Sequence, residues 1–544
     1  MKKPSFRLLL ALAWLALLAS ACNLPLPVAS TPPTAPTALI VTPGVAPTAT
    51  SVLPVAGTEA TSAAGTTATS AAGTTVTSAA GTTVTSTATP STIGADGVGD
   101  PYFPQLGNGG YDVQHYTINL AVDMEGGDIF GTTTIEAKTT QALARFDLDY
   151  SGPAITALSV DGQPAAFTRS GGELVISLSS PLPAGQTFST AVTYRGQPGA
   201  GLPANTPAYS LGWVPYGNRA PRDDGGVLVS AEPQGQAAWY PLNETPADKA
   251  SYTFRITVAK PWVVAANGLQ QSVTDNGGTR TYLWGTDNPV APYLVTLAIG
   301  KLSEETDTSS DVLVRNFFDE GFPDAAKTGF SRIPQMITYY ESLFGPYPFE
   351  AYGVVGHNLR LDYSLETQTL TVFGNSFTSE AVVAHELAHS WFGDSVTPYH
   401  WEDIWLNEGF ASFAARMWQE HTQGKDSVRQ SLGRSYQALV RNESRAITIG
   451  NPGPDDLFSG QVYDRGELTL AALRALLGDE TMFKVLRTYA QRFYHGNVTT
   501  HDLIAAAEEI SGQKLDDFFQ AWLYQTRLPD IPALGLFRKD YTTN

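Results

Sequence analysis

The sequence predicts an α+β protein with two folded parts: a largely antiparallel β domain over residues 101–304, then a mostly helical domain over residues 305–532. Three observations carry this. From Tyr111 to about Gly300, short alternating runs of apolar and polar residues are separated by Gly, Pro, Asn-Gly and Asp-Gly turns, the pattern of half-buried strands. Near Glu304 the texture changes to apolar residues at helical spacing. Ahead of both, residues 23–100 hold almost no charge and no aromatic ring, so they cannot bury enough surface to offset chain entropy.

At the N-terminus, Lys2, Lys3 and Arg7 precede an apolar run from Leu8 to Leu18 that is short for a bilayer span. Residues 1–21 therefore read as a signal peptide. Ala19, Ser20 and Ala21 lead into Cys22, the single cysteine of the chain. A lone cysteine after small residues resembles a bacterial lipobox, in which the thiol is lipidated and becomes the new N-terminus. The usual leucine three positions earlier is Ala19 here, with Leu18 one further back. The expectation is export and a lipid anchor on Cys22 at the outer face of a bacterial membrane, with secretion after ordinary cleavage as the alternative. One cysteine excludes an intrachain disulfide.

Residues 22–100 then form a Thr/Ala/Ser/Pro linker, with an eight-residue repeat beginning at Thr61, Thr69 and Thr77. As a flexible coil it separates its ends by roughly 50 Å. The net charge of −19 repels phosphate and argues against nucleic acid as a partner.

Within the β part, Tyr116–Leu120, Leu174–Leu178 and Phe188–Tyr194 are the clearest strands. In the second part, Ile333–Phe344 has helical spacing and stops at Gly345-Pro346. A few strands follow between Tyr352 and Phe373. Ser379 can cap a helix that ends at Gly393. A helix carrying Glu408 runs to about Gly424, and helical patterns continue over Leu468–Leu477, Glu480–Phe493 and His501–Trp522. Residues 533–544 read as a tail.

The chemistry lies in residues 385–389, His-Glu-Leu-Ala-His, within an apolar run. On a helix, His385 and His389 are four apart and share a face, so both imidazoles can ligate one zinc ion. Glu386 is turned away from that pair and can take a proton from water beside the metal. Glu408, nineteen residues past His389, can come from a neighbouring helix as third ligand. Two His and one Glu leave a fourth position open, as catalytic zinc requires.

Several stretches resemble the zinc aminopeptidases of aminopeptidase N and leukotriene hydrolase type, the gluzincin aminopeptidases. Gly107–Asp112, Trp239–Pro241, Asp248–Ala250, Ala266–Gly268 and Phe344–Pro348 resemble landmarks of that family, and His385–Gly393 with Trp405–Ala411 resemble its signature. The resemblance implies a β saddle domain followed by a thermolysin-like catalytic domain, with one zinc per chain. It implies three further site residues. Tyr463, in Val462–Gly466, would stabilise an oxyanion. Glu366, in Leu365–Thr369, and Glu232, in Ala231–Pro233, would bind a substrate's α-amine. The family's glycine before the first of these is Tyr363 here, and its glutamine before the second is Ser230. Many members carry a helical domain beyond the catalytic one, and its absence after Asn544 implies a more open cleft.

The expected function is thus an exported zinc aminopeptidase acting on peptides with a free N-terminus, as a monomer. Endopeptidase or epoxide-hydrolase chemistry on the same zinc, and a non-catalytic surface binding module, remain as rivals.

Overall fold

The first long strand shows how the alternation is satisfied. Tyr111–Val122 buries Val113 and then, past a register shift between Val113 and His115, buries Tyr116, Ile118, Leu120 and Val122. The extra residue lets apolar side chains on both sides of the shift face one core. The computed structural model describes residues 92–199, 208–217 and 225–542. The expected signal peptide, Cys22 and nearly all of the linker lie outside these residues.

Around that strand runs an eight-stranded sheet in the order Leu269–Asp275, Thr279–Val290, Ala250–Ala259, Tyr111–Val122, Ile129–Thr139, Thr187–Gly196, Ala154–Val160, Gln163–Pro164. Its neighbours are antiparallel, except that Tyr111–Val122 and Ala250–Ala259 run parallel. A three-stranded sheet accompanies it (Leu143–Asp149, Glu173–Leu182, Ala166–Ser170). A four-stranded sheet orders Val263–Ala266, Leu297–Gly300, Gly226–Ser230 and Gly212–Tyr216. All five residues of Gly226–Ser230 are buried, and the strand leads directly to Glu232.

The helical part begins with a sheet of its own, Leu302–Asp307, Leu313–Asp319, Ala351–Gly356, Thr371–Phe373 and Ser364–Leu365. Leu302–Asp307 pairs with Leu313–Asp319, so the architecture changes near Gly300 and a boundary at Glu304 cuts a strand. That strand, Leu302-Ser303-Glu304-Glu305-Thr306-Asp307, is polar and mostly exposed, so no apolar alternation marks it in the sequence. Ser364–Leu365 delivers Glu366.

Eight longer helices follow: α1 (Ile333–Phe344), α2 (Glu380–Ala388), α3 (Trp405–Gln423), α4 (Lys425–Arg441), α5 (Gly460–Leu477), α6 (Asp479–Arg492), α7 (Thr500–Ser511) and α8 (Asp516–Leu523). Four expectations are changed, one of them by α5, which begins at Gly460 rather than Leu468. α2 stops at Ala388 rather than Gly393, because the amides of Ser390 and Trp391 bond three residues back, to Leu387 and Ala388, and tighten the turn. α4 escapes a sequence reading because its apolar face, Val428, Leu432, Tyr436, Leu439 and Val440, is a thin stripe in a polar segment. His501–Trp522 is two helices, broken where Gly512 adopts a left-handed conformation at φ +68°.

Both ends of the folded part extend further than expected. Gly94 donates to the Arg145 carbonyl at 2.9 Å, Arg145 pairs with Asp96, and Asp100 accepts from the Trp401 amide at 2.8 Å. The last stretch assigned to the linker is thus held by polar contacts that leave no apolar pattern. In the expected tail, Arg538 pairs with Glu443 and Tyr541 packs on Tyr436.

The β and helical parts are bonded directly at the cleft. Asn267 donates to the carbonyls of Leu294 and Gln368 at 2.9 and 2.6 Å, and the Gly268 amide donates to Thr369 Oγ1 at 2.8 Å. Lys249 Nζ donates to the carbonyls of Asp394 and Ser395, both at 2.9 Å, in the turn beyond α2. Replacing Lys249 with Met withdraws these donors from buried acceptors, at about 1–3 kcal/mol for each acceptor left unmatched. We expect the urea midpoint of Lys249→Met to fall. An unchanged midpoint would show that the clamp adds no net stability.

Candidate metal centre and cleft

The metal-site geometry starts with a cap. Ser379 Oγ accepts from the Val382 amide at 3.4 Å and sets the start of α2, so that His385 and His389 emerge one turn apart. α3 packs beside α2 and presents Glu408 from its first turn. His385 Nε2 lies 3.1 Å from His389 Nε2 and 3.2 Å from Glu408 Oε2, and His389 Nε2 lies 3.6 Å from the same oxygen. A tetrahedral ion with bonds of 2.0–2.1 Å has ligand–ligand edges of about 3.3–3.4 Å. The triangle has the size that zinc requires.

The tautomers agree with this. His389 Nδ1 is 3.2 Å from the Phe392 carbonyl oxygen, which can only accept, so that nitrogen carries the proton and Nε2 offers its lone pair to the triangle. Burial lowers the pKa of His389 to about 4, which keeps the ring neutral and able to ligate. Ser412 Oγ stands 3.4 Å from His385 Nδ1 on the outer side. Against the upward push of burial, the hydrogen bond with His385 and the two neighbouring histidine rings hold the Glu408 carboxyl below its usual range.

Glu386 lies outside the triangle, buried, with a carboxylate oxygen within 4.8 Å of ligand atoms of Glu366 and His389. Burial, with Glu366 and Glu408 adding, pushes its carboxyl well above the ordinary range, the direction that suits a group that must hold and release a proton.

Glu232 and Glu366 come from different sheets and meet. Their carboxylates and that of Glu408 lie within 4.8 Å of one another. Both are buried, and Oε1 of each has no hydrogen-bond partner. Burial and Glu408 raise Glu366 to about 8, and burial with Glu366 raises Glu232 well above its usual value. Buried carboxylate oxygens with no hydrogen-bond partner call for a cation. Asp394, also buried with an unpartnered Oδ1, adds to the negative field.

Tyr463 sits on the first turn of α5, its ring stacked beside His385 with centroids 5.8 Å apart. Burial, then Glu408, raises its pKa well above the usual phenol value, so it keeps its proton and can donate. What places it there is the crossing of α3 and α5 at two glycines. A Cβ on Gly466 would meet Gly409 Cα at 2.5 Å, and one on Gly409 would meet Gly466 Cα at 2.9 Å. The backbones touch, and Glu408 and Tyr463 flank the contact. Arg465 ties α5 from behind. Its guanidinium donates to the carbonyls of Trp522, Thr526 and Ala521 at 2.7, 2.9 and 3.2 Å and to that of Gln525.

All seven candidate metal, catalytic and amine-binding residues therefore converge, while Cys22 lies outside the described residues. The structure adds supports that the sequence reading did not assign: Lys249, Asp394, Ser412, Arg465 and the Gly409–Gly466 contact. Both glycines stand inside quoted motifs, but their role depends on two helices meeting, which no local pattern displays.

Comparison with known proteins bears on the whole arrangement. Residues 335–522 match the Peptidase family M1 domain. Aminopeptidase M1-B of Oryza sativa subsp. japonica is 28% identical over 321 residues, covering 54% of this chain and 36% of that protein. Aminopeptidase B of Mus musculus is 26% identical over 358 residues, covering 62% and 53%. The chain thus spans about a third to a half of the length of these curated relatives. Among solved structures, a mutant M1 zinc metallopeptidase of Deinococcus radiodurans bound to a Tyr-Ser-Ala substrate is 30% identical, covers 80% of this chain and 99% of its own, and superposes with a TM-score of 0.70. A two-domain M1 zinc metallopeptidase mutant bound to L-tryptophan is also 30% identical, with a TM-score of 0.71.

The glycine crossing is testable by itself. Gly466→Ala forces two helix backbones apart, and overpacking of this kind costs about 1–3 kcal/mol. His385 lies on α2, His389 caps its C-terminal end and Glu408 lies on α3, so zinc affinity should hold while the melting temperature falls and Tyr463 moves away from the metal ligands. A variant as stable as the parent, with the Tyr463 environment unchanged by near-ultraviolet circular dichroism, would show that the close approach is not needed.

Proposed function

The chain belongs to peptidase family M1, and from that premise we propose that it is a zinc-dependent aminopeptidase that releases N-terminal residues from peptides. The observation that supports this most is the pair of buried carboxylates, Glu232 and Glu366, with unpartnered oxygens beside the His385–His389–Glu408 triangle. A substrate ammonium satisfies both with charge-assisted hydrogen bonds. Its position fixes how far the chain's end can reach, and the first peptide carbonyl then falls at the metal ligands.

A zinc ion held by His385, His389 and Glu408 supplies Lewis acidity and a lowered pKa for water at neutral pH. Glu386 takes the proton of the attacking water and passes it to the departing amine. Tyr463, protonated by virtue of its burial, donates to the oxygen that gains negative charge as the carbonyl becomes tetrahedral. Glu232 and Glu366 hold the ammonium in place throughout. The relatives bound to Tyr-Ser-Ala and to L-tryptophan carry ligands with a free amine, in keeping with this anchor.

We also propose that the protein is exported and held at a membrane through lipid on Cys22, with the linker as spacer, and that it acts as a monomer with one zinc. The charged start, the apolar run and the lone cysteine support the export and the anchor.

Two sets of measurements check these readings. Elemental analysis should find one zinc per chain, retained in Glu386→Gln and lost in His389→Ala. Glu386→Gln should lose about a hundred- to ten-thousandfold in kcat, because a proton acceptor typically contributes 10²–10⁴-fold. Glu366→Ala should lower kcat/KM by about ten- to a hundredfold, in line with 1.5–3 kcal/mol for a hydrogen bond to a charged group. N-acetylated peptides should be poor substrates. Cleavage of acetylated and free peptides at equal rates would replace this reading with an endopeptidase. For the anchor, mass spectrometry should find diacylglycerol on Cys22 at the mature N-terminus, and Cys22→Ser should free the protein from membranes. An unmodified Cys22 in the mature chain would sink that part alone.

A further inference from the structure

We propose that the open face of the eight-stranded sheet binds an acidic polysaccharide strand, held by Arg195, Arg255, Asn119 and the ring of Phe130. These residues lie on a different sheet from the strands that lead to Glu232 and Glu366, so the proposal stands apart from the peptidase reading.

Strand register brings the four side chains together. One row across the sheet runs Arg255, Asn119, Thr132, Thr193, each the Cα partner of the next. The adjacent row runs Thr257, Ala121, Phe130, Arg195. The alternate residues of these strands, among them Ile118, Leu120, Tyr194 and Ile256, are buried in the core, so both rows face outward. A groove of about 470 Å³ lies over the two rows. With strands about 4.8 Å apart and about 3.4 Å per residue, the arginine Cα atoms stand roughly 16 Å apart.

Three observations choose the ligand. The chain carries a net charge of −19, yet the residues lining this groove include two guanidinium groups and no carboxylate. Among the described residues, the side chains of Arg255 and Asn119 make no hydrogen bond or ion pair, and Arg195 only stacks over Phe130, 4.2 Å from the ring centroid. An unengaged guanidinium fork accepts a carboxylate through two parallel bonds. Hydroxyls come next. Those of Thr132 and Thr193 meet at 3.0 Å and those of Thr257 and Thr281 at 2.8 Å, and each pair keeps lone pairs for an incoming hydroxyl. Lastly, Phe130 is 41% exposed, and the negative face of an aromatic ring attracts the polarised C–H groups of a sugar. A peptide strand would add at a sheet edge, but the strands beneath the groove are paired on both sides and their backbones offer it nothing. Guanidinium, amide and hydroxyl groups remain, and they match a ligand dense in carboxylates and hydroxyls, as a chain of uronic acids is.

Calorimetric titration of the zinc-loaded full chain tests this, with an octamer of galacturonic acid as ligand and neutral maltooctaose and octaglutamate as comparisons. The octamer should bind saturably, at least about tenfold more tightly than either comparison, and should weaken in about 0.5 M salt. Arg255→Glu should weaken it about tenfold or more, and Phe130→Ala about two- to tenfold. Zinc content and melting temperature should stay at the parent values in both variants. Arg195→Gln replaces Arg255→Glu should that variant fold poorly. No saturable binding of the octamer, maltooctaose or octaglutamate held as tightly, or an affinity that the arginine and Phe130 variants leave untouched overturns the proposal.

Discussion

Buried negative charge is the constraint on which the rest of this structure depends. Glu232, Glu366, Glu386, Glu408 and Asp394 are all withdrawn from water in one region, with two histidines among them. Carboxylates so placed repel one another and pay a large desolvation cost, which is why their pKa values rise where no donor offsets them. An arrangement of this kind persists when positive charge arrives to compensate it. In the proposed reaction that charge comes from two sources, a resident divalent ion and the ammonium group of each substrate. The field that makes the site costly to fold is also what makes it attract its ligands.

Such a field needs rigid walls, and these are built from backbone more than from side chains. Asn267 and Gly268 from the β part bond to Gln368 and Thr369 of the helical part, fixing the sheet that carries Glu232 against the strand that carries Glu366. Lys249 fixes the turn after α2. The glycine crossing fixes α5 against α3. Each metal or substrate group is thus within a few residues of a bond that ties two elements together, which is what pre-organised chemistry requires.

How much of this could be read beforehand varied with the range of the interaction. His385, Glu386 and His389 are legible because helical spacing alone puts them in relation, and Glu408 because a second helix at that distance has few other places to go. The antiparallel β part was legible from alternation, and a helical second part from its change of period. Glu232, Glu366 and Tyr463 carry no such local signal and came only through resemblance to a family. The segment from Thr92 to Asp100 looks like linker because its attachments, to Gly109, Gln141, Ala144, Arg145 and Trp401 among others, are polar contacts that leave no apolar pattern. α4 was missed because its apolar stripe is thin, and the break at Gly512 because one glycine in a helical run does not announce a left-handed turn. The glycine contact exists only once distant stretches meet.

The Arg465 tether has a consequence for how the protein is made. The carbonyls that hold its guanidinium belong to residues 521–526, some sixty positions later in the chain. At the ordinary pace of translation, a ribosome needs about 3–12 s to add that length. During that interval the helix that carries Tyr463 lacks its rear support, although the metal ligands have already been synthesised. The nascent chain therefore passes through a stage with ligands for zinc but an unfinished oxyanion donor.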